Sequence, residues 1–267
     1  MSLNLFNISH DAIIANSIEG KLNAVREISS LWNSKSLTKE NSIEVYDIKS
    51  PGRPEVIKIV HKTDLPKRNL NHREGIGAFI HALTHIEFEA IHLGLDVIFR
   101  FRNMSEDFYS DWINLTEEEC THFELLNGHL KEFGYQYGDF PVHAELWELA
   151  RLSKNSLLER MAVVPRMAEA RGLDVSPSMQ NRLRKAGYLK TEKILQKIYE
   201  DEIGHVGIGS KWFAALCEEK KQNSFDTYIS ILHKYGFTEL RKPINREARL
   251  AAGFTEKELD YFETSLK

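Results

Sequence analysis

An all-α protein built around four long helices is the fold class this sequence predicts, and three observations predict it. Seven prolines and fifteen glycines are few for 267 residues, and they bunch between long uninterrupted stretches. Within those stretches apolar residues recur at spacings near 3.6, the period of an amphipathic helix rather than a strand. Apolar residues make up 42% and charged residues 28%, the balance of an ordinary globular chain.

The opening, 9–32, places Ile13, Ile14, Ile18, Leu22, Val25, Ile28 and Leu31 on one helical face. From Ser34 to Leu70 the pattern dissolves, and Pro51, Gly52, Pro54 and Pro66 mark an extended connector with at most one short strand at 56–60. Long helices are expected over 72–102, 107–133, 143–171 and 188–220, a short one over 178–186, and two more over 224–234 and 255–266. Gly134, Gly138, Pro141, Gly172 and Pro177 fall in the gaps, where helix breakers belong. The chain thus divides into an N-terminal helix and connector over 1–70, a four-helix core over 71–220 and C-terminal helices over 221–267.

Charge and composition exclude several function classes. A net charge of −4 offers no general polycation to nucleic acid. Cys120 and Cys217 are too few and too far apart for a disulfide scaffold or a Cys-x-x-Cys site. Asp11, Glu19, Lys21, Arg26 and Glu27 interrupt every apolar stretch at the start, so no secretory signal is expected. Nowhere do about 18 apolar residues run together, so no membrane span is expected. The expected location is the cytoplasm, with no membrane partner.

Chemistry is carried by glutamates on apolar faces. Residues three, four and seven apart share one face of a helix. Glu119 shares its face with Phe108, Trp112, Leu115, Phe123, Leu126 and Leu130, while Glu117 and Glu118 point elsewhere. His122 follows one turn later, and a Glu-x-x-His turn facing a bundle interior is a metal-ligand spacing. Glu202 repeats the arrangement among Leu195, Ile198, Tyr199, Val206, Gly209 and Phe213, with His205 beside it. A buried, unpaired carboxylate is costly and needs a cation, so two such turns point to metal.

A dinuclear carboxylate centre also takes one Glu from each of the two other helices. On the first, Glu87 lies in the stripe of Ile80, Leu83, Thr84, Ala90, Ile91, Gly94 and Ile98. A third Glu-x-x-His, Glu89 with His92, points the opposite way, with His85 and Asp96, and reads either as a polar outer face or as a layer behind the ligands rather than as ligands. On the other helix the candidates are Glu169, near Leu158, Met161, Ala162 and Pro165, and Glu159. The spacing from Glu87 to Glu119 nearly equals that from Glu169 to Glu202, which suggests a duplicated Glu…Glu-x-x-His unit. Against Glu169, Gly172 would end its helix early, whereas Glu202 lies well inside the next. Four carboxylates and two imidazoles suit two iron ions, or iron with manganese, better than calcium or zinc. Neither cysteine falls at a ligand position, and Cys120 reads as a packed residue.

The segments LPKR, HALTHIEFEAIHLGLD, EEECTHFELL, YGDFPVHAELWE, RMAVVPRMAEARGLDVSP, EDEIGHVGIGSKWF and INREARLAAGF resemble a ferritin-like family of uncharacterised bacterial proteins. That family is itself similar to the tRNA-modifying non-haem diiron hydroxylase. The resemblance runs from about Pro51 to Phe254 and implies a ferritin-like four-helix core. The hydroxylase's Glu-Ala-Arg-Ser motif looks like Glu169-Ala170-Arg171-Gly172, which favours Glu169 over Glu159; the sequence departs from it at Gly172.

The function expected from these residues is a diiron oxidase or oxygenase. Glu87, Glu119, His122, Glu169, Glu202 and His205 would be the ligands, with dioxygen, an organic substrate and an electron donor as partners. An iron-handling ferroxidase is the alternative, and the segments flanking the core argue against a plain storage subunit. A non-catalytic bundle with buried Glu–His ion pairs is the third reading. Two basic runs, Arg182–Lys197 and Arg241–Arg249, are candidate phosphate contacts for RNA, though such runs more often line a solvated helix face.

Overall fold

A computed structural model describes residues 3–40, 42–66, 68–238 and 242–265. The described chain is mostly helical and clusters into two compact units, residues 1–151 and 152–267. No helix among the described residues is long and apolar enough to cross a membrane.

In the first unit, strand β1 (Leu3–Asn4) pairs in parallel with β2 (Leu37–Thr38). Helix α1 (Leu5–Ile14) starts where Asn4 Oδ1 accepts the amides of Phe6 and Asn7, and α2 (Ile18–Asn33) starts at the Ser17 cap. The single opening helix expected over 9–32 is therefore two. The buried Lys21 amine donates to the Ala12 and Ile13 carbonyls, taking up the orphan acceptors that end α1. The strand expected at 56–60 reduces to one bridge, Ile59 opposite Val142.

Helices α3 (Arg73–Arg100) and α4 (Glu106–Glu132) form an antiparallel hairpin, close to the spans the periodicity predicts. Helix α1 packs on α3 and α2 on α4. At Gly94 a Cβ would stand 2.1 Å from Thr116 Oγ1, so the absence of a side chain sets how closely α3 approaches α4. Helix α5 (Glu145–Leu152) closes the unit, with Trp147 buried and its indole N–H donating to the Lys49 carbonyl.

The second unit holds the largest departure from the expected elements. The helix expected over 143–171 is interrupted after α5 and restarts at the Ser156 cap as α6 (Leu157–Val163). It continues through a π-helical turn, Val164–Glu169, into α7 (Ala170–Lys185). Gly172 and Pro177 lie inside α7 and do not break it. A proline at 177 denies the Leu173 carbonyl its helical donor, and the Asn245 side-chain amide supplies one at 3.1 Å. Packing of α7 against α8 (Leu189–Glu219) supplies the remaining support.

Helix α9 (Ser224–Lys234) spans the expected residues, α10 (Arg246–Ala251) was not expected, and α11 (Glu256–Ser265) falls within the expected 255–266, whose last residue lies outside the described ones. The C-terminal segment is held by buried charge. Arg249 and Asp174 pair at 2.7 Å with neither side chain exposed, and Arg166 reaches Glu258 at 2.9 Å among Phe213, Tyr228 and Phe254.

Candidate metal centre

The hairpin of α3 and α4 brings three expected ligands together. Glu87 stands thirteen residues before the end of α3 and Glu119 thirteen after the start of α4, so a short connection places them level. His122 Nδ1 lies 3.4 Å from Glu87 Oε2 and 3.4 Å from Glu119 Oε2. All three are buried, at 5%, 2% and 1% exposure for Glu87, Glu119 and His122. Burial by itself drives an imidazole toward its neutral form, but hydrogen bonds to Glu119 and Glu87 outweigh it and push the His122 pKa up to about 11. Two carboxylates thus converge on one site for a cation, and a proton on Nδ1 fills the electrostatic role a metal ion would take.

The second unit carries the matching turn. His205 Nδ1 lies 3.3 Å from Glu202 Oε1, with His205 buried and Glu202 partly so. The difficulty over Glu169 disappears with the real course of α7. Glu169 stands sixteen residues before the end of α7 and Glu202 thirteen after the start of α8, so the two are nearly level. Glu169 is half-buried and closes the π turn, which packs on α8. Such turns occur mostly as single bulges inside α-helices and often at functional sites. Glu159 is engaged elsewhere, accepting from Lys234 Nζ and Tyr235 OH, each at 2.6 Å. Glu119 with His122 in the first unit, and Glu202 with His205 in the second, each present a carboxylate and an imidazole that could serve as ligands to a metal ion.

The face of α3 carrying Glu89 and His92 is not an outer face. Glu89, His92, His85 and Asp96 are all buried, because α3 is covered along nearly its whole length. The connector lays Arg53 across Glu89 in a two-pronged pair, Nε at 2.8 Å and Nη2 at 2.6 Å. His92 Nδ1 adds a contact at 3.3 Å, and Asp96 is bound by Arg100 at 2.7 Å. Burial raises a carboxyl's pKa, but His92 and Arg53 reverse this and hold Glu89 ionised well below the usual carboxylate range. Glu89 therefore has its own protein cation. A polar residue on the far face of a helix reads as solvated in sequence, and only its cover shows otherwise.

Cys120 is wholly buried, and burial raises its thiol pKa, as suits a packed residue rather than a thiolate ligand. The second basic run is largely consumed internally. Arg249 is bound to Asp174, and Arg246 pairs with Glu256, Asp260 and Glu263; Arg241 lies outside the described residues.

The chain belongs to the family described as "Protein of unknown function (DUF455)", which it matches over residues 14–260. It is 45% identical over 215 residues to a Haemophilus influenzae protein described as "Uncharacterized protein", covering 78% of this chain and 75% of that one. No solved structure matches it.

Proposed function

We propose that the protein is a non-haem dimetal oxidase or oxygenase acting on an organic substrate. Glu87, Glu119, His122, Glu169, Glu202 and His205 would hold two iron ions, or iron with manganese, in a ferritin-like core of α3, α4, the continuous α6–π–α7 helix and α8. The observation that carries this reading is the convergence of Glu87 and Glu119 on His122 in a buried interior, echoed by Glu202 and His205. The donor set fits: carboxylates and imidazoles at helical spacing, with no sulfur, suit iron or manganese. The resemblance to a diiron hydroxylase and the π turn ending at Glu169 support it as well.

Bound iron would supply the redox chemistry, reduction of dioxygen coupled to oxidation of the substrate. The chain's own residues bind, orient and exclude water. Glu87 and Glu119 hold the proton on His122 Nδ1 and would release it as metal arrives, which couples loading to proton loss. Phe88, Phe123 and Tyr137 pack with ring centroids 5.2–5.5 Å apart, an apolar wall in the sequence neighbourhood of Glu87 and His122.

Elemental analysis of untagged protein tests the proposal. About two transition-metal ions per chain are expected, falling sharply in Glu119→Gln. Protein that stays folded yet takes up no metal when ferrous ion is supplied anaerobically would refute it and favour the bundle of ion pairs.

A further inference from the structure

A recess in the first unit, of about 40 Å³, has Arg68, His85, Glu89 and His143 in its lining, beside four apolar side chains. A water needs roughly 10–15 Å³ by such a measure, so a compact polar group of a few atoms fits.

The charges around it do not balance. Glu89 is answered by Arg53, and both its oxygens accept from that guanidinium. Lys62 and Glu145 cancel as a pair at 3.0 Å. The nearby Asp139 is exposed and accepts the Gln136 amide at 2.7 Å. Among the described residues no carboxylate pairs with Arg68, which is exposed and lines the recess. Among the described residues, therefore, one guanidinium lines the recess with no partner for its donors.

The imidazoles are set as well. His85 is used on both sides, Nδ1 to Tyr137 OH at 2.7 Å and Nε2 to the His143 carbonyl at 3.1 Å. His143 Nδ1 accepts the Glu145 amide at 3.3 Å. That bond selects the tautomer with hydrogen on Nε2, so His143 offers a donor with no partner among the described residues.

We propose that this recess is a binding site for a compact anionic group, a carboxylate or a phosphate, held by the Arg68 guanidinium and the His143 Nε2–H. A guanidinium presents two parallel N–H donors to either oxyanion, and the imidazole supplies a third from another segment. The site uses none of the six proposed metal ligands and stands whether or not the centre binds metal.

Isothermal titration calorimetry at constant ionic strength tests it, on the full chain as purified and again after chelation, with inorganic phosphate and acetate as probes. At least one probe should bind saturably with one site per chain in both preparations. Affinity should fall about tenfold or more in Arg68→Gln, recover in part in Arg68→Lys, and be unchanged in the surface control Lys220→Gln. Binding of phosphate alone assigns a phosphate ligand, and binding of acetate alone a carboxylate one. No saturable heat from either probe, or binding that survives Arg68→Gln, overturns the proposal. Because Arg68 lies at the surface, the variant should fold.

Discussion

Asp174 receives both prongs of Arg249, Oδ1 from Nε at 2.9 Å and Oδ2 from Nη2 at 2.7 Å, with neither side chain exposed. Asp174 Oδ1 also accepts the Asn245 amide at 2.9 Å. The carboxylate thus ties the loop before α10, and α10 itself, to the N-terminal part of α7. Removing one partner leaves the other charged and buried, which costs about 3–5 kcal/mol. Arg249→Met should lower the free energy of unfolding in urea by about that amount. The double change with Asp174→Leu should recover much of it, since no lone charge is then left buried.

Glu89 and Glu119 should separate metal loading from stability. Glu119→Gln should lose metal while keeping most of its stability. Glu89→Gln leaves Arg53 without its counter-charge, so a loss of roughly 3 kcal/mol is expected with metal content nearly unchanged. Metal analysis and urea unfolding of the two variants side by side check this, and loss of metal from Glu89→Gln would place that face in the centre.

Acid should destabilise the protein well above the carboxylate range. Burial lowers the pKa of His81 and His85 to about 4 and that of His92 to about 3, whereas an unfolded imidazole titrates near 6.5. Between these values the unfolded chain binds more protons, so stability is complete above about pH 6.5 and falls as pH drops toward 4. Each histidine contributes at most about 1.4 kcal/mol per pH unit in that window. His122, raised rather than lowered, acts only above about pH 6.5 in the metal-free protein, where it removes stability as pH rises. Urea midpoints from pH 4 to 8 after chelation measure both limbs, and His92→Gln should flatten the acid one.

Oxygen consumption should distinguish the proposed oxygenase from an iron-handling protein. With ferrous ion added at increasing ratios, stopped-flow oxidation should saturate near two irons per chain and resume only when electrons are resupplied. Sustained oxidation far beyond that ratio, with ferric product accumulating, would favour the ferroxidase.

Helical class, the spans of α3, α4, α8 and α9, and the placing of Glu87, Glu119 and His122 on buried faces are determined by the sequence itself. A 3.6-residue apolar period is a local property, and a carboxylate among Phe, Trp and Leu at that period can only be buried with them. Tertiary structure alone decided three things. It carried α7 through Gly172 and Pro177, because Asn245, 68 residues after Pro177, satisfies the Leu173 carbonyl and α8 supports the helix. It brought Glu169 level with Glu202, because the length of a hairpin arm depends on where its helix really ends. And it buried Glu89 and His92, since whether the polar side of a helix meets water or Arg53 depends on a connector whose own sequence has no period to read.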